Sequence, residues 1–301
     1  MNFVGIVVNG GIGNQLFKIF AIISYYIDNT QNYILYTTKD IGYRKYYWDT
    51  LFSNISHKVS DQIDITEKYV APYFHYKKIP VYNKENNEGH DLGHESDLGH
   101  ESDLLLDGYF QSSKYFEHNI NKIRRIIGID EKINNVLTKY PEYTNNKTIT
   151  IHYRMGDYFN LQAWHPVQKP KYYIDALKTL VSKGVDIYDY EILYFCEAGD
   201  NDVVNKYNFE INAALKEFYG NGNGQDLRYK KVADNIPDWE QLLIMTSSKH
   251  YIIGNSTFSW FGAYLSSSIN PIICYPNEWF GENYKGTIAD DLFPESWIKI
   301  C

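Results

Sequence analysis

Short apolar runs alternate with stretches of helical period through the second half of the chain, and this rhythm constrains the fold more than any other feature. Strand-like runs fall at residues 148–154, 191–196, 250–254 and 271–275. Helix-like stretches fall at 171–183, 238–246 and 258–267. Strands that alternate with helices build a parallel sheet, because a parallel pair needs a crossover and the helix provides it. The N-terminal end opens in the same way. Residues Phe3 to Val8 read as a buried strand and Asn9-Gly10-Gly11-Ile12-Gly13-Asn14-Gln15 as a turn. Leu16, Ile19, Phe20, Ile23 and Ile27 then form the apolar stripe of a helix over 16–28. A strand is expected at 33–37, order resumes at 104–111, and 119–139 reads as helical. The polar stretch 141–147 marks a boundary. The expected fold class is α/β, with two Rossmann-like domains, 1–147 and 148–301, facing a cleft.

Ligands of parallel sheets bind outside the carboxyl ends of the strands, so the segments that follow the strands carry the chemistry. Two are rich in polar groups: His152-Tyr153-Arg154-Met155-Gly156-Asp157-Tyr158, and Gly254-Asn255-Ser256-Thr257-Phe258-Ser259-Trp260. Arg154 can grip a phosphate with two parallel N–H groups, or it can form a salt bridge between domains. His152 lies two residues earlier on the same strand face, as a ligand contact or as a core histidine. Asp157 can orient Arg154, accept a proton, or cap the turn at Gly156. Ser256 or Thr257 suits a helix N-cap, and the amides that follow form either an anion site or an ordinary helix start. The glycine-rich turn matches no dinucleotide fingerprint, since Leu16 stands where a third glycine belongs, and it lacks the Gly-Lys-Ser/Thr of a P-loop. What remains is a tight turn with the carboxamides of Asn14 and Gln15, able to approach a phosphate or sugar closely or simply to join strand to helix.

The chain has 301 residues and a formal charge of −8. Its one small basic cluster, Lys122-Ile123-Arg124-Arg125, does not amount to a nucleic-acid surface. Three widely spaced cysteines, Cys196, Cys274 and Cys301, fit neither a disulfide framework nor a zinc site and suit a reducing compartment. No signal peptide or membrane-spanning run is visible, so a cytoplasmic location is expected, with loose association at a membrane surface left open. The 29 tyrosines reflect either coding bias or platforms for sugar rings. A duplicated hexapeptide, Gly93-His94-Glu95-Ser96-Asp97-Leu98 and Gly99-His100-Glu101-Ser102-Asp103-Leu104, reads as a solvated loop over 89–104 rather than a metal site, because its histidine spacing follows the duplication. No Asp-x-Asp follows a strand where a metal-bound nucleotide sugar would require one, so no metal and no cofactor are expected.

Four segments in a fixed order resemble glycosyltransferase family 11, the α-1,2-fucosyltransferases. They are Gly10-Gly11-Ile12-Gly13-Asn14-Gln15-Leu16-Phe17, Asp107-Gly108-Tyr109-Phe110-Gln111, His152-x-Arg154-x-Gly156-Asp157-Tyr158, and Asn255-Ser256-Thr257-Phe258-Ser259-Trp260. The resemblance implies a GT-B fold, a GDP-fucose donor and inverting, metal-independent transfer of L-fucose to O2 of a terminal galactose in a glycan. It implies an acceptor side on the N-terminal domain and donor binding on the C-terminal one. By a more distant similarity to the protein O-fucosyltransferases, Arg154 would hold the β-phosphate and Ser256, Thr257 and Phe258 the diphosphate. His152 would touch the nucleoside and Asn14 the transferred sugar. Gly11, Gly13, Gln15 and Asn255 belong to the same donor-binding set, and Arg154 and Asp157 are the catalytic candidates. Three positions depart from the family pattern. Met155 replaces a second arginine, Cys196-Glu197-Ala198-Gly199-Asp200 replaces a Ser-Asp-Asp, and Trp260-Phe261 replaces a Trp-Trp pair. Alternation along the strand turns Met155 away from His152 and Arg154, where it would fill space with apolar contacts. Two other readings stay open: a sugar-nucleotide transferase with a different donor or acceptor, and a glycan-binding protein that has lost catalysis.

Overall fold

The computed structural model of the protein describes residues 3–29, 32–37, 44–63, 65, 67–72, 74–80, 103–145, 147–219, 225–286 and 289–301. All but the last two residues of the duplicated loop lie outside that set. The chain divides into two compact units, Met1–Ile129 with Thr287–Phe293, and Asp130–Gly286 with Pro294–Cys301.

The first unit holds strands β1 (Phe3–Val8), β2 (Asn32–Thr37), β3 (Val59–Ser60), β4 (Glu67–Val70) and β5 (Leu104–Asp107) in the order β3-β2-β1-β5-β4, all parallel. Helix α1 (Ile12–Asn29) follows β1 and buries Leu16, Phe17, Ile19, Phe20 and Ile23. It starts earlier than the stripe predicts. The Gln15 N–H already bonds the Gly11 carbonyl at 3.0 Å, so Gly13, Asn14 and Gln15 lie in the first helical turn and not in a loop. The helix expected over 119–139 is two helices, α2 (Ile120–Ile127) and α3 (Ile129–Lys139), parted at Gly128. That glycine has φ +70°, the left-handed cap that ends helices cheaply only without a Cβ. The C-terminal part of the chain also contributes here. Asp291 accepts the Tyr76 N–H at 2.9 Å and pairs with Lys114.

The second unit opens with α3, whose Lys139 reaches the buried Glu240 at 2.8 Å. The compact unit thus takes in α3, whereas composition suggests a boundary in the polar stretch after it. Six parallel strands follow: β6 (Thr148–His152), β7 (Glu191–Phe195), β8 (Arg228–Lys231), β9 (His250–Ile252), β10 (Ile273–Pro276) and β11 (Ile298–Ile300). Their order is β11-β10-β9-β6-β7-β8. From β6 the chain builds outward to β8, then returns to add β9, β10 and β11 on the other side. This is the doubly wound Rossmann order, with its reversal between β6 and β9. Helices α4 (Pro170–Ser182), α5 (Asn201–Tyr219), α6 (Asp238–Met245) and α7 (Thr257–Tyr264) supply the crossovers. Both units are thus Rossmann-like α/β, as expected. Helix α5 and strands β3, β4, β8 and β11 were not foreseen.

Buried tyrosines help to fasten the second sheet. The Tyr153 hydroxyl donates to Asn208 at 2.7 Å, and that of Tyr172 donates to the Ile253 carbonyl at 2.6 Å. Their rings serve the core and their hydroxyls satisfy buried acceptors, a use of tyrosine that neither sequence reading considered. All three cysteines are free. Among the described residues no helix is long and apolar enough to cross a membrane. Helices α6 and α7 meet at Gly262, where an added Cβ would lie 2.7 Å from Cγ of the fully buried Met245. Gly262→Ala is therefore expected to cost about 1–3 kcal/mol by overpacking. The measurement is the urea midpoint at unchanged m-value, and an unmoved midpoint would show that the two helices separate freely.

Candidate functional site

The ends of β6 and β9 lie side by side, and this brings together the two segments singled out in the sequence. Ile151 pairs with Ile252 across the sheet. Beyond that pair, Gly254 approaches β6 so closely that an added Cβ would stand 2.9 Å from the His152 carbonyl and 3.4 Å from Cβ of Arg154. The Tyr158 hydroxyl donates to the Asn255 carbonyl at 3.2 Å and ties the two loops again.

Side chains alternate past the end of β6 as anticipated. Ile149, Ile151, Tyr153 and Met155 all belong to the buried apolar core, and Met155 has no exposure at all. His152 and Arg154 take the other face. Burial, and then the charge of Arg154, push His152 down to about 3. Its imidazole is therefore neutral, its Nδ1 has no partner, and its ring lies 5.4 Å from that of Phe258.

Arg154 is buried to 13% side-chain exposure and held on three sides. One terminal nitrogen pairs with Asp157 and the other with Glu197, while the guanidinium lies 4.5 Å from the centre of the Tyr158 ring. Burial works against its charge, but Tyr158, Glu197 and Asp157 outweigh that and raise its pKa above the usual arginine value. Gly156 completes the turn with φ +45°, and a Cβ there would lie 2.8 Å from a Glu197 oxygen. Its N–H is received by both oxygens of Asp200 at 3.1 Å. Glu197 and Asp200 were read only as departures from a family pattern. The usable signal was topological: adjacent parallel strands end together, so acids just after β7 stand beside the end of β6.

At the other segment, Ser256 is the N-cap of α7, and its hydroxyl accepts the Phe258 N–H at 3.3 Å. Ser256, Thr257 and Phe258 are each half-buried at the helix start. Such a start presents backbone N–H groups that suit an anion. Asn255 is buried and plays a different part. Its amide donates to the carbonyls of Pro166 at 2.9 Å and Trp279 at 3.3 Å, which makes it a brace for neighbouring loops.

Gly11, Gly13, Asn14 and Gln15 belong to the first unit. Gln15 is buried and its amide donates to the carbonyls of Gly10 and Lys45, at 2.9 and 2.8 Å. It fixes the turn from within. Asn14 is half-buried and accepts from Gln111 at 2.9 Å, which links the glycine-rich turn to the segment after β5. Gly13 is buried in α1, and an added Cβ on Gly11 would stand 3.9 Å from a guanidinium nitrogen of Arg44. Among the described residues no group of three or more His, Cys, Asp or Glu is placed to hold a metal ion.

The neutral state of His152 has a measurable consequence. The unfolded chain takes up a proton on this residue below about pH 6.5, whereas the folded chain resists until about pH 3. Stability therefore rises with pH across that window and falls as the solution is acidified. The slope from one such group is roughly 1.4 kcal/mol per pH unit. Urea unfolding at pH 5 and pH 6 should show a smaller difference for His152→Gln than for the parent chain by about that amount. Parallel behaviour of the two would mean that His152 is readily protonated in the fold.

The α-1,2-colitosyltransferase of Escherichia coli is 28% identical over 202 residues, or 64% of this chain and 61% of that protein. The O-antigen biosynthesis glycosyltransferase WbnK of Escherichia coli is 25% identical over 207 residues, or 65% and 60%. The aligned stretch thus spans about three-fifths of the length of either relative. Among solved structures, POFUT1 in complex with GDP-fucose aligns with a TM-score of 0.47 at 11% identity, over 91% of this chain and 97% of that one. The α-1,6-fucosyltransferase NodZ co-crystallised with GDP gives 0.44 at 12% identity, over 88% and 92%. The sequence profile of glycosyl transferase family 11 matches residues 53–301, which takes in the end of β6, the start of α7 and Gln111. On that match, the chain belongs to glycosyl transferase family 11.

Proposed function

We propose that the chain is an inverting fucosyltransferase that transfers L-fucose from GDP-fucose to O2 of a terminal galactose. One observation carries the reading: a buried arginine and a capped helix start meet at the order reversal of a Rossmann sheet. In the reaction, the acceptor oxygen bonds to the anomeric carbon as the bond from that carbon to the phosphate oxygen breaks. As the new bond forms, the hydroxyl releases its proton to water, and the electron pair of the broken bond leaves with GDP. Negative charge grows on the β-phosphate, where Arg154 and the positive end of α7 at Ser256, Thr257 and Phe258 counter it. Neutral His152 can exchange a hydrogen bond with the nucleoside without adding charge. Asn14, positioned by Gln111, would serve the transferred sugar. The pairing of Asp157 with Arg154 favours an orienting role for that carboxylate over proton acceptance.

Two of the guanidinium nitrogens face carboxylates, so Asp157 and Glu197 compete with a diphosphate for the cation. Glu197 is 63% exposed and can turn to solvent, whereas Asp157 is shorter and closer in sequence. A related donor is the second reading, favoured by the relative whose name gives colitose as the sugar it transfers. Product masses from GDP-fucose and GDP-colitose, each with a panel of β-galactosides, separate the two. Release of GDP without sugar transfer to any acceptor would sink both.

Arg154→Ala is expected to lower turnover about a hundredfold or more. Arg154→Lys should fail nearly as badly, because it keeps the charge and loses the fork. Glu197→Gln should tighten GDP-fucose binding, since it removes a competing negative charge. Retention of more than about a tenth of turnover in Arg154→Ala, less than 1.4 kcal/mol of barrier, would rule out the phosphate role. With arginine and helix amides as the electrophilic groups, turnover in EDTA should equal turnover in manganese or magnesium. A large loss in EDTA that either ion restores would overturn the metal-independent mechanism.

A further inference from the structure

The loop that follows the arginine turn presents an exposed run without a charged residue, Phe159-Asn160-Leu161-Gln162-Ala163-Trp164. Phe159, Leu161 and Trp164 are 47%, 39% and 44% exposed. In a chain of charge −8 this is an unusual surface, and large exposed apolar groups so close in sequence call for an occupant.

The loop is firmly braced. The N–H groups of Gly281 and Asn283 donate to the carbonyls of Trp164 and Ala163, at 2.9 and 2.8 Å. Gln168 reaches the Glu278 carbonyl at 2.8 Å, and Asn255 holds both Pro166 and Trp279. Gly281 lies so close that an added Cβ would stand 2.6 Å from the Gln162 carbonyl. A ladder of rings connects this surface to Arg154. The guanidinium lies over Tyr158, which stacks on His165 at 4.9 Å and 20°. His165 lies 6.0 Å from Tyr284, and Tyr284 meets Trp164 edge to face at 5.1 Å.

We propose that this braced loop is a stacking surface for a pyranose ring of the acceptor glycan, with Trp164 as its anchor. The proposal rests on the reading of Arg154 as the donor-phosphate residue. A pyranose offers an apolar C–H face and a rim of hydroxyls. It matches a neutral aromatic surface whose indole N–H can donate at the edge. A nucleotide or an anionic lipid headgroup would bring charge that this run has no group to meet. Bracing matters because a preformed aromatic surface loses little conformational freedom when it binds. Acceptor recognition then extends to the C-terminal half of the chain, beyond the N-terminal half where the sequence placed it.

The test uses the full chain and three forms: parent, Trp164→Ala and Trp164→Phe. Affinity for lactose and methyl β-D-galactopyranoside is measured by saturation-transfer NMR with GDP present, and affinity for GDP-fucose by calorimetry. Trp164→Ala should weaken galactoside binding about tenfold, or 1.4 kcal/mol. Trp164→Phe should recover most of it, and GDP-fucose affinity should stay within about twofold in all three, well under the tenfold that 1.4 kcal/mol represents. Unchanged galactoside affinity in Trp164→Ala overturns the proposal. So does a parallel loss of GDP-fucose affinity, which would give the loop to the nucleotide. Trp164-dependent binding to phosphatidylglycerol vesicles, with no galactoside binding, overturns it in favour of a membrane contact. A chain that binds galactosides through Trp164 but no GDP-fucose keeps this inference and overturns the donor reading.

Discussion

The close approach of Gly254 to the His152 carbonyl is the contact on which the candidate site depends. Any side chain at 254 would press on backbone, which cannot move aside as a flexible side chain can. The absence of one lets the loop after β9 settle against the end of β6, at the point where the sheet reverses its strand order. A cation from one strand and a helix start from the other then share one edge. Neither segment would form an anion site alone. An arginine in a loop is mobile, and a helix start offers only partial charge. Held together, they set a braced guanidinium beside a capped helix start.

The same edge shows how a buried cation is managed. A guanidinium with so little exposure needs partners, because an unpaired buried charge is costly. Asp157 and Glu197 fill that need and also compete with any anionic ligand. Their exposures differ, 40% for Asp157 and 63% for Glu197, so the two carboxylates are not equivalent. The left-handed turn at Gly156 belongs to this arrangement, since Glu197 occupies the space a side chain would take.

Much of this was legible in the sequence. Period and strand length gave the parallel sheets, and alternation along β6 placed Met155 in the core and His152 with Arg154 opposite. Residue type offered Ser256 or Thr257 as the N-cap, and Ser256 takes that place. Other features were hidden for physical reasons. Glycine-rich sequence reads as a turn, yet the first turn of a helix tolerates Gly13, and the Gln15 N–H closes it. Glu197 joins Arg154 across neighbouring strands, a pairing that local sequence cannot express. Asn255 has the composition of a ligand-binding residue, but its amide is taken by carbonyls from two distant loops. The end of α3 is held by a buried acid far along the chain, Glu240, a tie that local composition does not express.

Late in the chain, the path returns from the second unit to the first at Thr287–Phe293 and then leaves again for the edge strand β11. Asp291 thereby meets Tyr76, a separation of 215 residues. At a synthesis rate of about 5–20 residues per second, that interval is roughly 10–40 s on the ribosome. The segment that carries Asp291 therefore reaches the first unit only after most of the second has been made. A single recombination point cannot exchange one unit for that of a relative, because each is assembled from two separate stretches of the gene.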